Sequence, residues 1–210
     1  MPPLAHLRIA VEAALDEEVL RRLLRDLRPD IQVLDRLGLR GWTYLQAKAP
    51  GLNQAAASYP CLMLTDLDAR PSACGLVHCW LPQRHGNFVL RVAVRKVESW
   101  LLADRGNLAA FLAVPVTKVP PAPEGLPDPK QALVNLARRS RRRSVREAIV
   151  PLAGSTAQEG PKYTGCLSEF VRSHWNWQAA CGDMDESSTS LARAVRAIKG
   201  FAPTIAEVPP

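Results

Sequence analysis

The chain has 210 residues, 47% of them hydrophobic and 22% charged, which suits one substantial core with an appendage or two small domains and excludes a disordered or fibrous polypeptide. A net charge of +7 favours polyanionic partners, although basicity alone describes many proteins that never touch nucleic acid. Five cysteines, Cys61, Cys74, Cys79, Cys166 and Cys181, are an odd number without Cys-x-x-Cys spacing, so neither a disulfide framework nor a zinc knuckle is expected and reduced thiols are the simplest reading.

Glu12, Asp16, Glu17 and Glu18 interrupt what would have to be the apolar core of a signal peptide. No apolar run approaches the roughly 20 residues that span a bilayer, and a cytoplasmic protein with no membrane partner is the expectation. Leu7 to Val11 reads as a strand ending at Glu12. Asp16 to Leu27 then turns helical, with Leu20, Leu23, Leu24 and Leu27 on one face. Pro29 stops that helix, Ile31 to Leu37 reads as a second strand, and Gly38, Gly41 and Pro50 read as a loop before a short helix at Gly51 to Ser58.

Cys61-Leu62-Met63-Leu64 follows Pro60 and closes in Thr65-Asp66-Leu67-Asp68, a buried strand running into charge. Pro71 to Trp80 reads as a helix, and Phe88 to Val94 as a further strand leading towards Arg95, Lys96 and Glu98. Strands alternating with helices predict an α/β fold, a parallel or mixed sheet flanked by helices. From about Asn107 the texture changes. Pro115, Pro120, Pro121, Pro123, Pro127 and Pro129 predict a linker or irregular wrap, and Asp128-Pro129 an N-cap opening a helix through Ala137. Arg138, Arg139, Arg141, Arg142, Arg143 and Arg146 crowd into nine residues. Helices are predicted at Leu167 to Trp175 and Ser190 to Lys199, with a frayed tail from Pro203 to Pro210. The division that follows is a sheet domain over 1–106, a proline-rich linker with a mostly helical extension over 107–202, and a tail over 203–210.

In an extended chain Asp66 and Asp68 point to the same side and repel, and a divalent cation would relieve them because magnesium and manganese select hard oxygen ligands. A polar turn with one aspartate capping the next helix is the alternative. Ligands of such sheets bind beyond the carboxyl ends of the strands, where Glu12, the aspartate pair and Glu98 all fall. An acidic first helical turn for Glu12 and Asp16, and an amphipathic helix surface for Glu98, are the plainer readings. Arg95 and Lys96 would stabilise charge on a phosphate under attack, or simply be solvated or paired. The arginine run would contact backbone phosphates or dock an acidic partner. Trp175 and Trp177 would stack bases or fill core. No Gly-rich phosphate loop is present, so any ATP hydrolysis would belong to a partner.

The order Glu12, Asp66-x-Asp68, Glu98 resembles the Toprim fold of topoisomerases, primases and the nuclease half of overcoming-lysogenization-defect proteins. The longer run Val97 to Asp104, with Gly160-Pro161-Lys162-Tyr163, Trp175 and Ser190-Leu191-Ala192-Arg193, resembles an uncharacterised bacterial Toprim-like family encoded beside ABC-type AAA ATPases in phage-defence loci. That resemblance implies a magnesium- or manganese-dependent endonuclease controlled by a partner ATPase. Its metal ligands would be Glu12, Asp16, Asp66, Asp68 and Glu98, with Glu12, Asp66, Asp68, Glu98 and Arg95 catalytic. The six arginines and Lys162 would then bind nucleic acid. A silent module that docks an ATPase or nucleic acid is the rival, and the number of subunits, a homo-oligomer included, stays open. One departure stands out. Ala13 replaces the glycine usual after the first glutamate, which would strain a backbone requiring positive φ.

Overall fold

The computed structural model describes residues 5–182 and 189–204. The first half alternates β1 (Ala5–Val11), α1 (Ala14–Leu27), β2 (Ile31–Gly38), α2 (Gly41–Ala55), β3 (Cys61–Asp66), α3 (Ala73–Trp80) and β4 (Phe88–Ala93). The second half is helical: α4 (Val97–Ala103), α5 (Arg105–Leu112), α6 (Pro129–Arg138), α7 (Arg143–Ile149), α8 (Tyr163–Ser173), α9 (Trp177–Cys181) and α10 (Ser190–Lys199). The four strands form one sheet, ordered β2-β1-β3-β4 and parallel throughout. The fold is thus α/β, with helices on both faces and a helical C-terminal region.

Side-chain alternation explains why β3 opens as an unbroken apolar run. Leu62 and Leu64 of β3 join Leu7, Ile9 and Val11 of β1 in the core beneath α1 and the helical second half. Cys61 and Met63 join Phe88, Leu90 and Val92 in a second core beneath α2 and α3. Both faces are covered, so neither needs polar residues.

The loop expected at 38–50 is mostly helix. α2 runs through Pro50, which lies on the exposed side, while Leu45, Ala49 and Leu52 are buried on the opposite face. Burial of that face outweighs the one hydrogen bond proline removes, because the freed carbonyl has water to turn to. Gly38 is required where it stands. Its φ is 115°, and an added Cβ would lie 1.9 Å from the carbonyl oxygen of Val11. The turn after it is stitched to the end of β1 by Leu39 N to Val11 O (3.0 Å) and Gly41 N to Glu12 O (3.3 Å).

The proline-rich run wraps over the core through 3-10 turns at Val116–Lys118 and Pro123–Gly125, burying Val119 and Pro123. Asp128 caps α6 as expected, accepting from Gln131 N at 3.1 Å. Trp175 and Trp177 are core residues. The Trp175 indole donates to Trp100 O (3.3 Å) and that of Trp177 to Asp26 Oδ2 (3.2 Å). Trp100 donates to Ser190 Oγ (2.7 Å), which ties α4 to the start of α10. Among the described residues no helix is long and apolar enough to cross a membrane. Of the expected tail, residues 205–210 lie outside the described ones; Thr204 exchanges two hydrogen bonds with the Asn87 side chain (2.8 and 2.9 Å).

Candidate functional site

Parallel register sets the geometry. Val11 pairs with Leu64, so the next residue of each strand, Glu12 and Thr65, meet at the carboxyl edge. Thr65 Oγ1 donates to Glu12 Oε1, and Asp66 N donates to the same oxygen at 3.0 Å. Burial raises the Glu12 carboxyl above its ordinary range. The two hydrogen bonds and Arg70 work against that rise, and Asp68 adds to it. Ala13 has φ −139° and ψ 169°, an extended conformation that alanine adopts freely, so the strain feared at this position is absent.

Asp16 occupies the first turn of α1 and is 3% exposed. It accepts from Ala13 N at 2.9 Å, as an acid at a helix start should, and yet it is not a solvated cap. Burial, then the repulsion of Glu98 and Glu12, push its carboxyl up to about 8. Asp66, the last residue of β3, accepts from Val97 N at 2.9 Å and so holds the start of α4. Its carboxyl is raised well above the usual range by burial and then by Asp16, Glu98, Glu12 and Asp68. Five acids from three strand ends therefore feel one another.

The aspartate pair does not share a face in the way an extended chain would allow. The strand stops at Asp66, and Asp68 turns into the left-handed region at φ 51°, its N–H donating to Arg95 O at 2.8 Å. There its carboxylate meets Lys96 Nζ (3.3 Å) and Arg70 (3.8 Å). Glu98 sits in the first turn of α4 and is 3% exposed, so it is no surface residue. Tyr163 donates its hydroxyl to Glu98 Oε1 at 2.9 Å, and Lys130 Nζ stands 3.8 Å from the same oxygen. Burial works against the Lys130 ammonium, but Glu98, Glu159 at 2.7 Å and Asp66 more than offset it and hold the charge on.

Thr65, Lys130 and Glu159 carry no sequence signal, since only folding brings α6 and the 150–162 segment to α4. Gly160 makes that approach feasible. Its N–H donates to Ile149 O at 2.8 Å, and an added Cβ would meet Ala148 O at 2.5 Å.

The remaining predicted residues lie elsewhere. Arg95 donates to the carbonyls of Asp68 (3.0 Å) and Arg70 (3.1 Å) and lines a cleft beside α3. Arg138 and Arg139 end α6, while Arg141, Arg142 and Arg143 lead into α7, all exposed. Arg143 pairs with Glu147 (2.6 Å), and Arg146 donates to Ser140 O at 2.5 Å. Lys162 is exposed just before α8.

Among the described residues no three His, Cys, Asp or Glu side chains stand ready as a metal's ligand set. Each of the five acids is instead turned towards a donor or cation of the protein itself. Comparison with known protein families, curated proteins and solved structures finds no match to this chain.

Proposed function

We propose that the protein is a magnesium- or manganese-dependent phosphodiesterase of Toprim type, an endonuclease acting on nucleic acid as a cytoplasmic anti-phage effector under a partner ATPase. One observation carries the reading. Carboxylates following three adjacent parallel strands are buried against one another at the carboxyl edge of the sheet, with more negative charge than the nearby cations remove. Buried like charges are retained against their cost where function needs them. The donors are all hard oxygens, the type those cations select, so in chemistry the set fits. Asp66, Asp68 and Glu98 would be the ligands, with Glu12 and Asp16 completing the set. Such an ion supplies an activated water and neutralises the leaving oxygen.

The rest is the chain's own work. Glu12, whose carboxyl is raised by burial, is placed to take a proton. Lys130 and Lys96 hold positive charge beside the acids, where phosphate oxygens would gather negative charge. The exposed arginines between α6 and α7 offer backbone-phosphate contacts away from the chemistry. The ATPase partner and the defence role rest on the Toprim-like resemblance of Val97 to Asp104 and the downstream motifs.

Purified protein with magnesium should cut DNA or RNA, and Asp66→Asn should abolish cutting together with the magnesium-induced rise in melting temperature. Cutting that survives EDTA or the substitution would end this reading. A second reading has its own support. Each acid already has a partner in the protein and none joins a ready ligand set, as in a silent module that docks an ATPase or nucleic acid. Partner binding and biological activity unchanged in Asp66→Asn/Glu98→Gln would favour it.

A further inference from the structure

A cleft of about 820 Å³, lined by none of the five acids, opens between α3, β4 and the start of α10. Leu67, Val77, Leu81 and Val94 give it an apolar wall, and Arg84, Arg91, Arg95 and Arg193 line it as well. Among the described residues Glu124 is its one acid, and it is engaged, accepting from Ser190 N at 2.7 Å and Ser190 Oγ at 2.5 Å.

Arg91 is the residue without an explanation. It lies on edge strand β4, opposite Leu64 of β3, in a strand whose other residues are all apolar. Its Nε is buried and has no hydrogen-bond partner among the described residues. The charges around it make matters worse: burial, then Arg84, Arg193 and Arg196, press it towards losing its proton. A guanidinium stays charged, so this half-buried one, with its Nε shielded and unpaired among the described residues, carries a desolvation cost that nothing there repays. Leucine or valine would serve the packing better. What satisfies such a group is an anion with several oxygens, which a guanidinium grips through two parallel bonds.

We propose that this cleft binds a phosphate monoester carrying a flat apolar body, a nucleotide or the 5′ end of a strand, with Arg91 gripping the phosphate and the wall of Leu67, Val77 and Leu81 holding the base. Arg84 adds field to the same end. This site adjoins the acid cluster through Leu67 and Arg95, but none of the five acids lines it and binding there does not depend on their chemistry.

Titration calorimetry in EDTA, with inorganic phosphate, adenosine, adenosine monophosphate and a short 5′-phosphorylated oligonucleotide, tests it without any metal. Adenosine monophosphate should bind saturably, at least tenfold tighter than adenosine, and phosphate alone should bind weakly. Tighter binding of the oligonucleotide than of the mononucleotide assigns the phosphate to a strand end, and the reverse order to a free nucleotide. Arg91→Leu should lose at least tenfold in affinity for every phosphorylated probe while raising the ligand-free melting temperature, because it removes an unpaired charge. Val77→Trp leaves every arginine in place and should weaken adenosine monophosphate while sparing inorganic phosphate. Equal affinity for adenosine and its monophosphate, undiminished affinity in Arg91→Leu, or unchanged nucleotide affinity in Val77→Trp would each overturn the assignment.

Discussion

Asp16 shows what a single carboxyl can disclose. Because burial and the neighbouring Glu98 and Glu12 raise it from 3.8 to about 8, the folded chain holds a proton there that the unfolded chain releases. Folded protein thus binds more protons between those two values. Its stability is fully present below about pH 4 and drains away as pH rises through 8. Asp16→Asn, which keeps an oxygen for Ala13 N, removes that dependence. Its stability advantage over the natural protein in EDTA should therefore widen from pH 4 to pH 8 in urea unfolding; an advantage constant across that range would refute the raised carboxyl. Magnesium should narrow the gap at pH 8 if the acids hold it. From the sequence, Asp16 is legible as an acid in a first helical turn and no more. Its burial under Glu98 depends on a helix roughly eighty residues away. Asp68 shows the opposite failure, since alternation along a strand puts it beside Asp66 only while the strand lasts, and the chain turns left-handed first.

Among elements, the strands and their order along the chain were the most legible part, because apolar runs bounded by proline and acid have few other uses. α2 was the least legible. Gly41 and Pro50 are genuine local signals of a loop, and Leu45, Ala49 and Leu52 overrule them only through a sheet that periodicity cannot see. The join between the helical half and the site is open to test at this scale. Tyr163→Phe takes away the hydroxyl on Glu98, a bond to a charged group worth about 1.5–3 kcal/mol. It should lower stability by that order and lower any magnesium-dependent cutting too. Gly160→Ala should cost about 1–3 kcal/mol, since the obstructing atoms belong to the backbone of Ala148, Ile149 and Val150 and cannot swing aside. Denaturant midpoints check both, and a midpoint unchanged in Gly160→Ala would show that the close approach is absent.

For the whole molecule, the excess of cations is spread unevenly. Five exposed arginines flank the α6–α7 turn, whereas Arg146 is turned inward to Ser140. If that turn carries nucleic acid, Arg141→Gln/Arg142→Gln should weaken binding regardless of sequence. It should also flatten the dependence of log affinity on log salt by about 0.9 for each duplex-DNA phosphate that the variant no longer neutralises. A slope equal to that of the natural protein would assign the turn to another partner.

The bond between Tyr163 and Glu98 spans 65 residues, and the guanidinium of Arg22 reaches the carbonyl of Val171 149 residues on. A ribosome releases the chain from its N-terminus, so the sheet and all five acids emerge long before α8 exists to close over them. A nascent chain halted just after α7 therefore carries every proposed ligand, yet lacks the hydroxyl that orients Glu98 and the Glu159 carboxylate that anchors Lys130. The shell around Glu98 and Lys130 is thus complete only once α8 has been made, and a centre that needs that shell starts work no earlier.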